Sequence, residues 1–575
     1  MNDFKWWQTA VFYQIYPRSF ADGNGDGIGD IQGMIARLDY LKRLGIDGVW
    51  LSPHFPSPQW DCGYDISDYC NVEPDYGTLD DFKVFLAEAH RRGIRVILDM
   101  VLNHTSDQHA WFIESRSSRE SPKRDWYIWR DAKPDGSPPN NWYSTFGGPA
   151  WEYDEKTGSY YYHFFFKQQP DLNWRNPEVK QAMFDAMRFW LDMGVDGFRL
   201  DAIGTIYEDA DLPDQQAGIT QEELYKLSQG AKTPEDWKKL EPLWEEMFRF
   251  QHDLPGIHEL MRDLRSLVNE YQDRVLVGET DDIAFYGNGE DELHLNFNFP
   301  LMETKLLTAA WVSENQKMRL GKLPAAAWPC NTLGNHDCPR VYNRFGDGEH
   351  NDAIARQNLA LLLALKGTPF LYNGEEIGMS DYLITELARF RDQSGVYFYQ
   401  LATKLSDMPE EEALRLAAMN SRDKNRTPTQ WANAANAGFS PAGVTPWLPV
   451  NPNYAEGINA ADQERDAGSL LNFYRRALHM RRQNPALVTG DYQLLQGDGA
   501  SPDTPTEGAL VFLRTAPEQR CLVALNMTVA PVTVQPGLAV KHARLVFSTH
   551  QRTDGALNIK NLELAPYEAL IVEIS

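Results

Sequence analysis

At 575 residues the chain exceeds one ordinary compact domain, and length alone allows about two to four. A formal charge of −26 and a pI near 4.9 argue against nucleic acid and anionic membranes as partners and leave neutral substrates. The opening Met-Asn-Asp-Phe-Lys-Trp-Trp has no signal-peptide pattern and no 18-residue apolar run occurs. Cys62, Cys70, Cys330, Cys338 and Cys521 show neither CxxC nor CxxH spacing, so a cytoplasmic protein with reduced thiols is expected.

In chain order, apolar runs at 11–16, 48–51, 94–100, 196–200, 275–278, 293–297, 330–334 and 368–372 read as strands. Helical-period segments at 31–44, 79–92, 177–193 and 256–271 alternate with them. Eight such runs predict an α/β fold, a (β/α)8 TIM barrel of parallel strands. Two connections are unusually long for a barrel: 105–175, rich in Trp, Tyr, Pro and Gly, reads as an inserted subdomain after strand 3, and 202–255 is acidic and partly helical. After the eighth strand, 376–467 carries helical pieces near 381–405 and 409–419. From about 490, ALVFLR, CLVALNM, ARLVFS and ALIVEIS alternate with Pro, Gly and Asp, which predicts a C-terminal antiparallel β-sandwich. The expected domains are 1–104 with 176–485, then 105–175 and 486–575.

Catalytic groups of barrel enzymes sit at the C-terminal ends of strands. Here Asp99 ends the third strand and Asn103 and His104 follow; Arg199 and Asp201 end the fourth, Glu279 the fifth, and Asn335, His336 and Asp337 the seventh. One carboxylate at a strand end is ordinarily a helix cap or an ion-pair partner; four strands converging on one mouth reverse that reading. Cleaving a glycosidic bond with retention needs a nucleophilic carboxylate and a proton-donating carboxyl roughly 5 Å apart. Adjacent strands can supply Asp201 as nucleophile and Glu279 as general acid/base. Arg199, two residues before Asp201 on the same strand face, can hold that aspartate ionised. Asp337 can grip sugar hydroxyls and help raise the pKa of the acid, while His104 and His336 can hydrogen-bond ring hydroxyls.

The strings DMVLNH (99–104), GFRLD (197–201), VGET (277–280) and NHD (335–337) resemble the four signature regions of glycoside hydrolase family 13, the α-amylase family. GVWLSP (48–53) and GTPFLYNGEE (367–376) match further regions, and order and spacing agree over about 1–480. QPDLNW (169–174) is similar to the oligo-1,6-glucosidase and α-glucosidase subfamily. The resemblance implies that Asp61 and Tyr64 bind the terminal glucose, with Cys62 replacing the usual Asn and placing a thiol near the pocket. It implies that Phe146, Phe165 and Gln169 line the pocket from the inserted subdomain. In SRDKNRTPTQW (421–431) it implies an arginine that pairs with Asp61 and blocks the pocket's end; Arg426 is favoured over Arg422, and the motif alone leaves both open. A blocked end implies exo-action on small α-glucosides. Ala202, after the nucleophile, stands where α-1,6-preferring relatives usually carry Val, so α-1,4 substrates such as maltose are expected, with transglucosylation or sucrose processing as the rival chemistry. Non-catalytic transporter heavy chains share the barrel but carry a membrane anchor and have lost active-site acids; all three expected acids are present here.

Asp22, Asn24, Asp26, Ile28 and Asp30 alternate with glycines as in the first nine residues of an EF-hand loop, although position twelve is Gly33 rather than Glu. A single structural Ca²⁺ (or Mg²⁺) is expected there, with no organic cofactor. The same glycines lack the dinucleotide spacing and no Walker loop occurs. Monomer and homodimer are equally compatible with the sequence.

Overall fold

A computed structural model describes residues 4–231, 234–405, 408–495, 508–552 and 557–575. Eight parallel strands form one sheet: β1 (Phe12–Ile15), β2 (Gly48–Leu51), β3 (Arg95–Val101), β4 (Gly197–Asp201), β5 (Val275–Gly278), β6 (Leu295–Asn296), β7 (Cys330–Thr332) and β8 (Thr368–Tyr372). Their order, β7-β8-β1-β2-β3-β4-β5-β6, wraps them into the expected barrel. Asn298 Nδ2, just after β6, donates to Asn331 Oδ1 on β7 at 3.1 Å and ties the two ends of the sheet together. Phe12, Trp50, Ile97, Val277, Phe297 and Phe370 pack inside the ring.

The helices end where their residues dictate. Ile31–Leu44 is capped by Asp30, whose carboxylate accepts Gly33 N at 2.6 Å, and it stops at Gly45 in the left-handed region. Leu79–Arg91 opens on a Thr78/Asp81 capping box, and Pro177–Met193 on Asn176 with Pro at its first turn. The stretch after β8 contains Gln393–Leu405 and Glu410–Asn420; the first begins about three turns later than its predicted start at 381, because 381–392 is held by loop contacts such as Asp392 N to Asp423.

Within 105–175 a small antiparallel sheet (Trp129–Arg130, Trp151–Asp154, Ser159–Tyr162) carries the aromatic run, so Tyr162 and Phe164 are core there. At the C-terminus a five-stranded antiparallel sheet faces a two-stranded one (Val532–Val534 with Leu562–Leu564) across a Val/Leu/Ile core, the expected sandwich.

Register places the site. Asp99 on β3 sits directly opposite Arg199 on β4, and Val101 opposite Asp201. Glu279 N donates to Leu200 O at 3.0 Å, which brings the residue after β5 level with the end of β4. This register begins at Gly197, whose φ of +148° is open only to glycine; a Cβ there would lie 2.1 Å from Val275 O. Gly197→Ala is therefore expected to cost about 2–5 kcal/mol. Gly321→Ala, in a helix with nothing within 4 Å of the added Cβ, should be neutral or stabilising by about 0.5–1 kcal/mol. Parallel thermal and urea melts check both.

Candidate active site

Arg199 is 1% exposed and bonds three acids. Nη1 reaches Asp99 Oδ1 at 2.7 Å and Asp201 Oδ1 at 2.6 Å, and Nη2 pairs with Glu279 Oε1. The other oxygen of Glu279 accepts Ala202 N at 2.7 Å. Ala202 sits at φ +42° and ψ 44°, a left-handed conformation that non-glycine residues avoid; the turn it makes aims that N–H at Glu279. Three carboxyls around one guanidinium would carry a net −2 if all were ionised. Burial, then Glu279, pushes Asp201 well above the ordinary carboxylate range, and burial raises Asp99 to about 6.

A second charged cluster lies beside the first, linked to it through Asp337, His336 and Tyr64. Arg422 Nη2 donates to Asp61 Oδ1 at 2.7 Å and to Asp392 Oδ1 at 2.8 Å, and its guanidinium lies 5.3 Å from the ring centre of Phe146. Arg426, favoured from the sequence for that position, instead sits fully buried beneath it: Nη2 bonds Asp337 Oδ1 at 2.6 Å and Nε donates to His336 O at 3.0 Å. The reason is the short helical turn Arg422–Asn425, which turns Arg422 toward Asp61 and points Arg426 inward at the stem of Asp337. Burial pushes Asp337 up, but Arg426 and Arg422, the permanent cations facing it, outweigh it and hold the carboxyl well below the usual range. Asp337 is thus balanced by its own arginines, and the crowding that raises Asp201 comes from Glu279 and Asp99.

The predicted ligands for ring hydroxyls divide into open and buried groups. His104 and His336 are 1% and 0% exposed, and their ring nitrogens bond protein rather than opening to a pocket. Asn103 Oδ1 faces His104 Nδ1 at 2.9 Å, which leaves Nε2 to accept Gln169 Nε2 at 2.9 Å; Gln169 in turn donates to Asp61 Oδ2 at 3.1 Å. Gln14 Nε2 faces His336 Nδ1 at 2.7 Å, and Nε2 lies 2.6 Å from Tyr64 OH, which donates to Asp99 Oδ2 at 3.1 Å. Burial drives both imidazoles below the usual range, His104 to about 3, so they stay neutral. They orient Gln169 and Tyr64. By contrast Asp337 and Glu279 expose 31% and 20% of their side chains. Phe165 stands edge-on to His104 and tilted against Phe146, so all three contribute to one wall.

Cys62 does not open to the site. At φ +50° its side chain packs among Tyr16, Tyr372, Phe390 and Trp447, and burial pushes the thiol up to about 12. All five cysteines are free. Asp392 and Trp50, whose Nε1 donates to Asp99 Oδ2 at 3.1 Å, belong to the site but were not singled out for it from the sequence, and Asp99 was noted there as a strand-end acid without a role. Asp99 carried a signal, as an acid ending a strand; Asp392 carried none.

The expected metal loop closes on itself. Asp22 accepts the N–H groups of Gly25, Asp26 and Gly27, Asp30 those of Gly23, Asn24 and Gly33, and Asn24 Nδ2 donates to Asp26. Its donors are all oxygen, the set a hard cation takes. Among the described residues, however, no three His, Cys, Asp or Glu side chains are arranged so that they could hold a metal ion.

A model of the α-amylase catalytic domain matches residues 14–490. The chain belongs to the α-amylase family. An oligo-1,6-glucosidase of Parageobacillus thermoglucosidasius is 39% identical, with 99% of each chain covered. Trehalose-6-phosphate hydrolase of Bacillus licheniformis superposes with a TM-score of 0.84 at 34% identity, and an isomaltulose synthase mutant of Erwinia rhapontici, solved with sucrose, at 0.84 and 36%; both cover the whole of each chain.

The two arginines make separable predictions. Arg422→Lys loses the fork that spans Asp61 and Asp392 and should lower kcat/KM for an aryl α-glucoside by about 100-fold with little change in melting temperature. Arg426→Lys disturbs a fully buried cation and should lower the melting temperature by several degrees. Steady-state kinetics beside melts check both; the opposite ranking would return Arg426 to the wall.

Proposed function

We propose that this enzyme is a retaining, exo-acting α-glucosidase that releases terminal glucose from short α-glucosides, α-1,4 in preference to α-1,6. The observation that carries it is the ion-pair cluster of Asp61, Arg422 and Asp392, which supports a blocked end to the site. A closed end admits one terminal glucosyl unit; an endo-acting enzyme needs an open cleft.

Asp201 and Glu279 bond the two ends of a single guanidinium, which favours the close spacing of a retaining pair over the roughly 6.5–9.5 Å of an inverting one. In the first step an Asp201 oxygen attacks the anomeric carbon as the bond to the leaving oxygen breaks and Glu279 delivers its proton there. In the second, Glu279 takes a proton from water, the water oxygen attacks the same carbon, and Asp201 leaves as a carboxylate. Arg199, bonded to both acids, balances the charge on Asp201 as Glu279 gives up its proton. Asp337, ionised between its arginines, is placed to bind sugar hydroxyls. A second acceptor in place of water gives transglucosylation, which the similarity to an isomaltulose synthase also supports.

The small side chain of Ala202 supports the α-1,4 preference, while relatives named oligo-1,6-glucosidase favour the rival linkage. Incubation with maltose, isomaltose, sucrose and trehalose is expected to release glucose fastest from maltose. Ala202→Val should shift the isomaltose-to-maltose ratio of kcat/KM upward by about tenfold. Accumulation of transferred or isomerised sugar without free glucose would overturn the hydrolytic reading.

We also propose a structural Ca²⁺ or Mg²⁺ at Asp22, Asn24, Asp26, the carbonyl of Ile28 and Asp30, on donor chemistry alone, with no part in the reaction. A chelator is then expected to lower the melting temperature by a few degrees, with Ca²⁺ restoring it; an unchanged melt refutes the metal. The free thiols and the lack, among the described residues, of a helix long and apolar enough to cross a membrane support a cytoplasmic setting.

A further inference from the structure

The barrel end opposite the acids holds a cavity of about 340 Å³ at the N-terminal ends of β1, β2 and β3, lined in part by Val11, Asp47, Arg95, Arg481 and Arg482. Three cations thus face one acid, and the acid is already spent: Asp47 Oδ2 accepts Val11 N at 3.1 Å and Oδ1 pairs with Arg482 at 2.5 Å. Arg95 pairs with Asp196 at 2.7 Å. Arg481, on the helix Leu470–Gln483, is different. It is 1% exposed, and among the described residues it pairs with no carboxylate. Nη1 and Nη2 donate only to the carbonyls of Thr9 and Gly367, at 3.1 and 3.3 Å, and Nε has no partner.

A second buried arginine compounds the imbalance. Arg514 donates only to the carbonyls of Gly490 and Ala364 and is likewise unpaired with any acid. Burial and then Arg481 push Arg514 down to about 9, and burial pushes Arg481 to about 10. A guanidinium does not surrender its proton in a protein, so two buried positive charges remain, and one of them, Arg481, lines the cavity. Buried charges are ordinarily paired, because an uncompensated one costs several kcal/mol.

We propose that this cavity binds an oxyanion of the phosphate class, with Arg481 as its buried anchor and Arg95 and Arg482 at its rim. Guanidinium groups match a tetrahedral oxyanion through forked N–H donors. Trp6, whose ring lies 5.6 Å from the Arg95 guanidinium, offers an apolar side against which a phosphate ester could rest. The site is at the far end of the barrel from Asp201 and shares no residue with the glucose pocket.

Thermal melts of the full chain in inorganic phosphate at constant ionic strength test it. The midpoint is expected to rise and saturate, by about 2–4 °C. Arg95→Gln and Arg482→Gln should each weaken the apparent affinity for phosphate by about tenfold, with α-glucoside hydrolysis in phosphate-free buffer unchanged. These rim variants keep the test open if Arg481→Met fails to fold. A parallel titration with glucose 6-phosphate separates sources: tighter binding than phosphate assigns an ester, equal binding the free ion, and either supports the site. A midpoint rise matched by chloride at the same ionic strength, or one undiminished in both rim variants, overturns it.

Discussion

One buried guanidinium organises the catalytic mouth. Arg199 must remain charged in a nearly dry site, and it does so by bonding Asp99, Asp201 and Glu279 at once. Removing it would strand three acids at the end of the barrel, and breaking buried ion pairs of this kind costs about 3–5 kcal/mol. That mutual dependence ties the chemistry to strand register. Asp99 faces Arg199 only because β3 and β4 pair at that offset, and a slip of one residue would turn either side chain out of the barrel.

The site separates its charges into two clusters with opposite tendencies. Around Arg199 acids outnumber the cation, and burial pushes Asp201 and Asp99 upward. Around Arg422 and Arg426 two cations serve three acids, Asp61, Asp337 and Asp392, and hold Asp337 and Asp392 well below the usual carboxylate range. An acid pushed up and an acid held down can therefore coexist in one site. The neutral histidines between them carry hydrogen bonds without adding charge. This division of labour follows from which arginine each carboxyl meets, and all the acids involved are of the same two residue types.

Much of the fold was legible because apolar runs repeat with strand and helix periods, and because acids ending those runs are chemically conspicuous. Asp201 and Glu279 were readable from position alone. Asp392 was not: it lies in an irregular segment after β8, its role depends on Arg422 thirty residues on, and nothing local marks that contact. The choice between Arg422 and Arg426 was equally closed to pattern, since four residues of tight helical turn decide which guanidinium faces Asp61 and which sinks toward His336. Cys62 could be seen to replace a polar residue next to Asp61, but its direction could not; a backbone at φ +50° turns it into an aromatic cluster.

By itself the sequence determined the barrel, the sandwich, the family and the acids on their strand ends, because each rests on periodicity or on residues within a few positions of one another. Tertiary structure alone decided which arginine pairs with Asp61, that His104 and His336 are buried and bonded to protein, and that Asp99 shares the central guanidinium. Those outcomes depend on side chains brought together from strands and loops as many as 361 residues apart, as Arg422 and Asp61 are. Contacts of that range leave no period in the chain, since their partners are chosen by register and by the competition of several acids for a few buried cations.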